Sequence, residues 1–330
     1  VKIMNIRNAT INDMPKICEL WNTEVASLGF YKPLEEEQFI KVFTNDPDFS
    51  YEGVFVAYDD DKLVGYIMGF VRSAYAKNPD NPGCLNSIVV AKKYRKQGIG
   101  AKLVEKLEEF FKNRGRNYIQ AYNYLPLCYE WYVPNFDKHN HPCAPAIRVN
   151  SEEYFFLLHH GYEAVGFEDA FHLPLAEYEL SDSIKEILER NEKDGIVIEY
   201  YDANKHYGID EFYEDIQAPE FEKVIRSNLA LEKPYPFLVV AKDNKVVGWT
   251  GALWNEPSGR GHFDGIIISE SVRGRGLGKA LFATLAYKSK LNGAEFMTFY
   301  TGLKNHARYI YMGAGFKIVQ SYSLMKKKLK

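Results

Sequence analysis

One pattern is written twice in this chain, and it limits the possible folds more than any other feature. "FVAYDDDKLVGYIMG" (Phe55–Gly69) and "LVVAKDNKVVGWTGA" (Leu238–Ala252) each give an apolar strand, an Asp/Asn/Lys turn and a second strand centred on Val-Gly. That is a β-hairpin signature. A β-rich run follows each hairpin ("CLNSIVVA", "HFDGIIIS"), then a basic glycine-rich loop: "KYRKQGIGAKLVEKL" from Lys93 or "SVRGRGLGKALFATL" from Ser271. The spacing of Ile99, Leu103, Leu107, Phe110 and Phe111 predicts an amphipathic helix stopped at Gly115, and Leu277, Leu281 and Leu285 predict its counterpart, stopped at Gly293. A further strand ("NYIQAYN", "EFMTFYT") and a helix-like segment ending in Gly161-Tyr162 or Gly315-Phe316 close each copy. The chain is therefore two copies of one mixed α/β unit.

A length of 330 residues accommodates two domains of ordinary size. Arg95 stands 66 positions before Gly161, whereas Arg273 stands 42 before Gly315, so the first copy holds 24 extra residues. They fall in "AYNYLPLCYEWYVPNFDKHNHPCAP", too irregular for a plain helix. "LSDSIKEILERNEKDG" reads as a linker helix over 181–194, with Ser181 or Ser183 as N-cap and Gly195 as the stop. The expected domains are 1–180 and 195–330.

Forty-one basic against 44 acidic residues leave a net charge of −3, so no global field favours nucleic acid or an anionic membrane as partner. Cys18, Cys84, Cys128 and Cys143 form no disulfide-like framework, and "VKIMNIRNAT" lacks an apolar signal core. The expectation is a cytoplasmic protein.

The glycine loops have a physical purpose. A helix N-terminus presents unpaired N–H groups and partial positive charge; glycines ahead of it let an anion approach, and arginines add charge-assisted hydrogen bonds. Phosphate or pyrophosphate is the natural guest. A Rossmann fingerprint is broken by Lys279 at its sixth position, and a P-loop by Arg273 and Ala280. Hydride transfer and nucleotide hydrolysis are both disfavoured.

Arg95-x-x-Gly98-x-Gly100 and Arg273-x-x-Gly276-x-Gly278 resemble the R/Q-x-x-G-x-G/A signature of the GNAT acetyltransferase superfamily. "IRNATINDMPKICELWN" (Ile6–Asn22) resembles that family's opening strand and helix, and "NHARYIYMGAGF" (Asn305–Phe316) its closing N-x-x-A…Y-x-x-x-G-F segment. The resemblance covers nearly the whole chain. It implies two tandem GNAT-like domains, each a mixed, mostly antiparallel twisted sheet flanked by helices, with acetyl-CoA as donor. Backbone groups of Ile266, Ile267 and Ile268 would hold the pantetheine arm like an added strand. Arg273, Gly274, Arg275, Gly276, Leu277, Gly278 and Lys279 would hold the pyrophosphate, and Asn305 joins the donor site from the closing segment. In the first copy the equivalents are Ile88, Val89 and Val90, then Arg95, Lys96, Gln97, Gly98, Ile99, Gly100 and Ala101.

Acetyl transfer from a thioester to an amine needs a neutral nucleophile, a stabilised oxyanion and a protonated leaving thiolate. The family commonly supplies the last proton from a tyrosine four residues before the closing Gly-Phe. Here that residue is Tyr311, with Tyr309 as the alternative because Asn305 stands one residue closer than usual. The first copy has Leu157, which cannot donate a proton; His159, His160 and Tyr154 are the substitutes at hand. The second copy is therefore expected to be the main catalytic unit. Asp264 is the candidate general base, with Asn86 in its place in the first copy, and Glu270 reads as solvated.

The implied function is acetyl-CoA-dependent N-acetylation of a primary amine on a small molecule or peptide, by direct attack in a ternary complex. Two other readings stay open: another acyl or aminoacyl transferase of the same fold, and a non-catalytic acyl-CoA-binding or regulatory protein. Cys128, His139, His141 and Cys143 fit no familiar zinc spacing, so no metal is expected. The insertion's Tyr122, Tyr124, Tyr129, Trp131 and Tyr132 are expected to wall an acceptor pocket or the domain interface. The closing "KKKLK" reads as a solvated tail.

Overall fold

The computed structural model describes residues 4–75, 77–78, 80–122 and 126–329; Tyr124 lies outside them. The first repeat forms β1 (Asn5–Asn8), α1 (Met14–Glu24), α2 (Glu36–Thr44), β2 (Val54–Asp59), β3 (Lys62–Phe70), β4 (Pro82–Val90), α3 (Ile99–Asn113) and β5 (Tyr118–Ala121). Among the described residues the insertion forms β6 (Trp131–Tyr132) and β7 (Asn140–His141), and β8 (Ile147–Arg148) follows it, each two residues long. Then come α4 (Glu152–His159) and the long β9 (Glu163–Pro174). The linker helix is α5 (Asp182–Glu192), with Ser181 at its N-cap position. The second repeat forms β10 (Ile196–Tyr200), α6 (Ile209–Ile216), α7 (Pro219–Leu229), β11 (Leu238–Lys242), β12 (Lys245–Gly251), β13 (Gly265–Ile268), α8 (Leu277–Leu291), β14 (Phe296–Gly302), α9 (Ala307–Gly313) and β15 (Lys317–Lys328). The fold is mixed α/β, and no helix among the described residues is long and apolar enough to cross a membrane.

Both predicted hairpins close on two-residue turns, Asp59 pairing with Lys62 and Lys242 with Lys245. Asp60, Asp243 and Asn244 take positive φ, which their short polar side chains tolerate. Each hairpin shifts register at the corresponding place, Ala57/Tyr58 and Val240/Ala241. The repetition thus extends to irregularities.

Compact units and repeats do not coincide. One unit comprises Val1–Asp169 with Gln320–Lys330, the other Ala170–Val319. The final strand of each repeat therefore ends in the unit built by the other repeat. Local patterning marks a strand but not the edge it will pair with, which is why the repeat boundary near 180–195 is not the unit boundary.

In the first unit the sheet runs β1–β2–β3–β4–β5–β15, with the first part of β9 beyond and β8 also on β15. Met325 pairs with Ala121 and Lys328 with Tyr118. The expectation of a solvated lysine tail is corrected here: Lys326 meets Asp80 and Lys327 meets Glu108, while Tyr322 and Met325 are fully buried. Helix α3 buries Leu103, Leu107 and Phe111. A Cβ at Gly83 would collide with the Phe111 ring, so glycine there lets the helix seat on β4.

In the second unit β10–β11–β12–β13 form an antiparallel sheet whose alternation serves two cores. Leu238 and Val240 pack with Leu281, Phe282 and Leu285 of α8, whereas Val239 and Ala241 pack with Phe212 of α6 and Ile225 of α7. The second part of β9 lies beside β14, where Thr298 Oγ1 donates to the Phe171 carbonyl at 2.9 Å.

Met325→Ala is expected to cost about 2–5 kcal/mol by opening a cavity. Deleting residues 320–330 should speed amide hydrogen exchange at Tyr118–Ala121 of β5, which loses its neighbour. Unchanged exchange there would contradict the strand assignment.

Candidate functional site

In each unit a parallel pairing starts and then stops. Strands β4 and β5 pair from Pro82↔Tyr118 to Cys84↔Gln120, after which β4 runs on to Val90 without that partner. In the second unit a parallel bridge joins Arg260 to Phe296, and among the described residues β13 and β14 share no ladder. Among the described residues, strand β13 is paired on one side only, from Gly248↔Ile268 to Gly251↔Gly265. Ile266–Ile268 thus present an open backbone edge to the gap, and an open edge accepts an extended chain as an added strand.

The two glycine loops repeat each other in backbone conformation. Lys92–Tyr94 and Glu270–Val272 each make a 3₁₀ turn, and Arg95 and Arg273 follow with φ of −68° and −64°. Lys96 and Gly274 then take φ of +59° and +79°, and Gly98 and Gly276, the N-cap residues of α3 and α8, take +82° and +79°. No side chain among the described residues caps either helix. Among the described residues, none of the amides 96–101 or 274–279 donates a backbone hydrogen bond. Each loop therefore offers a row of N–H donors at the positive end of a helix, an arrangement suited to phosphate oxygens.

The surroundings of the loops differ. Arg95 Nε donates to the Val90 carbonyl at 2.8 Å, and the guanidinium pairs with Glu152 and, at 3.5 Å, with Glu24. Glu24 also accepts from the Lys92 amide. Arg273 pairs with Glu270 of its own turn at 2.7 Å and keeps 62% of its side chain exposed. Arg275 pairs with Asp194, its carbonyl accepts from Arg190 and Asn191, and Ile187 lies where a Gly276 Cβ would point. The linker helix α5 thus braces the second loop.

Tyr311 stands at the gap in the second unit. Its ring lies 4.6 Å from Phe299 on β14, 4.7 Å from Phe282 on α8 and 6.2 Å from Phe263, just before β13. Burial pushes its hydroxyl pKa up to about 12, and no hydrogen bond from that hydroxyl occurs among the described residues. Tyr309 is 66% exposed. The register with the first copy is set by shared helix ends: Phe316 N–H donates to the Tyr311 carbonyl as Tyr162 N–H does to that of Leu157. Leu157 is fully buried. His159 and His160 each turn a ring nitrogen onto a carbonyl of their own helix, those of Phe155 and Phe156. Asn305 starts the turn into α9, its side chain accepting from the Ala307 amide at 3.0 Å.

Asp264, at the opposite end of β13 from the glycine loop, accepts from the Ala252 amide at 2.9 Å and meets His262 Nε2 at 2.7 Å. Trp254 stacks on His262 at 4.2 Å, and the Glu256–Arg260 ion pair closes the cluster. His262 escaped the sequence reading, although its position two residues before Asp264 would, in a strand, put both side chains on one face; here both precede β13.

In the first unit the insertion's Tyr129 donates to Asn86 Oδ1 at 2.8 Å and stacks on Trp21 at 4.4 Å. Trp131 stacks on Phe30 and His141, while His139 stacks on Phe136. Nearby Glu153 was also missed, because an acid in the first turn of a helix reads as dipole complement. Burial pushes its pKa up to about 7, with Arg148 opposing the shift.

The model of the acetyltransferase (GNAT) family matches residues 16–126 and 197–316. No curated protein matches the chain by sequence. A GCN5-related N-acetyltransferase from Sphaerobacter thermophilus aligns over 99% of this chain and 96% of its own, with 17% identity and a TM-score of 0.59. A tandem GNAT protein from the clavulanic acid biosynthesis pathway aligns over 99% of both chains, with 11% identity and a TM-score of 0.54. The glucosamine N-acetyltransferase region of a fungal multi-domain β-N-acetylglucosaminidase gives 16% identity and a TM-score of 0.64 over 99% of this chain, which spans 38% of that protein. At such identities the likeness is one of fold.

Two outcomes follow from the geometry. Gly276→Ala should cost about 1–2 kcal/mol for the left-handed backbone alone, read by chemical denaturation. Glu153 ionises later in the folded chain than at its ordinary 4.5, so the folded state holds the extra proton between pH 4.5 and about 7. Stability should therefore fall as pH rises through that window, and Glu153→Gln should flatten the dependence.

Proposed function

Because the chain belongs to the GNAT acetyltransferase family, we propose that it carries an acetyl group from acetyl-CoA to a primary amine of a small molecule or peptide, by direct attack with both substrates bound. The second copy is the working unit. The observation that carries this reading is the contrast between the two cradles: Arg273 is exposed beside free amides, whereas Arg95 is held by Glu24 and Glu152 and occupies the Val90 carbonyl. A donor arm laid along Val90 would have to displace that contact, while the edge of Ile266–Ile268 is open.

Bound there, acetyl-CoA supplies the activated acyl carbon as a thioester. The amides of residues 274–279 and the exposed Arg273 hold the pyrophosphate, and the outer edge of β13 orients the arm toward Tyr311. Asp264, with His262 beside it, takes a proton from the acceptor amine at the far end of β13. A four-residue strand spans roughly 13 Å, which separates the anion cradle from the basic pair. Tyr311, kept protonated by burial, gives its proton to the departing thiolate. The first copy, with Leu157 in place of the tyrosine, serves as a non-transferring module.

Incubation with acetyl-CoA and a panel of amines, following free thiol, tests the reading; it fails if no amine raises the background. Tyr311→Phe should lower kcat roughly 10²–10⁴-fold with little change in donor affinity. Arg273→Ala should weaken donor binding more than Arg95→Ala, and equal losses would refute the division of labour.

A further inference from the structure

The turn that leads from β13 into the second cradle is held by a carboxylate from another part of the same unit. Ser269 is buried at the N-cap position of the 3₁₀ turn Glu270–Val272, yet its hydroxyl does not cap that turn. It donates instead to Asp215 Oδ2, in the last turn of α6, and lies 2.8 Å from the Ser271 hydroxyl. A carboxylate only accepts, so the Ser269 proton points at Asp215 and the bond between the serines runs from Ser271 to Ser269. One charged group thereby sets the direction of a chain of two hydroxyls.

The first unit shows what a carboxylate does at the same place without those hydroxyls. Ala91 and Lys93 stand where Ser269 and Ser271 stand, Ala91 being the N-cap residue of the turn Lys92–Tyr94. The Ala91 amide donates to the Val64 carbonyl as the Ser269 amide does to that of Val247, which fixes the correspondence. The carboxylate there is Glu24, the last residue of α1; α1 and α6 are each the first α-helix of their repeat. Glu24 accepts from the Lys92 amide at 2.9 Å and also pairs with Arg95 at 3.5 Å. Asp215 is engaged by Ser269, and among the described residues Arg273 meets only Glu270 of its own turn. Both side chains of that pair are largely exposed, so a phosphate competes with it readily. A carboxylate beside the loop thus competes for the arginine of the cradle unless the turn offers it another donor.

We propose that Asp215 is a positioning residue of the second donor site: acting through Ser269 and Ser271, it fixes the turn and leaves Arg273 and the amides of residues 274–279 to the pyrophosphate of the donor. The inference rests on the reading of that cradle as the donor site.

Calorimetric titration of the full chain with CoA tests it. Ser269→Ala, which introduces the residue of the first copy, should weaken binding about tenfold, as expected for losing a hydrogen bond to a charged group. Asp215→Asn and Asp215→Ala both remove the charge, but only the former keeps an oxygen for Ser269. The Asp215→Asn chain should therefore bind CoA about fivefold more tightly than the Asp215→Ala chain. That difference should vanish when Ser269→Ala is added to each, which a merely structural role of Asp215 would not produce. The proposal is overturned if Ser269→Ala binds CoA as the wild type does, if the two Asp215 variants bind alike, or if their difference survives Ser269→Ala, in chains shown to be folded by circular dichroism. A wild type that does not bind CoA would refute the donor site itself, and the proposal with it; a wild type that binds while the variants bind equally well refutes the proposal alone.

Discussion

A parallel pairing that starts and then stops creates the condition on which the rest of each unit depends. Backbone N–H and C=O groups along the inner edges lose their partners where the ladder stops, and such groups are costly unless solvent, side chains or a ligand satisfy them. In the second unit the opening lies between β13 and β14 and leads directly to the uncapped end of α8. An open strand edge and a row of free amides therefore arise from one topological event.

The two copies settle that condition differently. In the second, the Tyr311 ring packs among Phe263, Phe282 and Phe299, and Arg273 stays exposed beside its loop. In the first, Arg95 closes on Val90, Glu24 and Glu152, while the insertion brings Tyr129 to Asn86. The same loop conformation thus serves an open cradle in one place and a tied one in the other. The loop sequence does not decide this; two carboxylates from distant helices do.

Much of the architecture was legible in the residues because it is short-range. The Asp-Asn and Asp-Asp hairpin turns, the left-handed positions at Gly98 and Gly276, and the apolar stripe of α3 each follow from a few neighbouring residues. The register of Tyr311 against Leu157 was legible from the Gly-aromatic ending of each copy. Glu153 and His262 were not. A glutamate reads as surface until the packing that raises its pKa is known, and a histidine reads as packing until its carboxylate partner is seen.

The sequence by itself determined the repeat, the mixed α/β unit, the family resemblance and the two anion loops, since periodicity, turn chemistry and backbone handedness act over a handful of residues. Only the tertiary structure decided that β9 and β15 complete units built by the opposite repeats, that Glu24 and Glu152 reach Arg95, and that burial holds the Glu153 carboxyl above its ordinary range. Each of these depends on which distant surface a segment buries against. Many edges and pockets can accept a strand or a carboxylate of given local pattern, so the choice among them belongs to the packing of the whole chain.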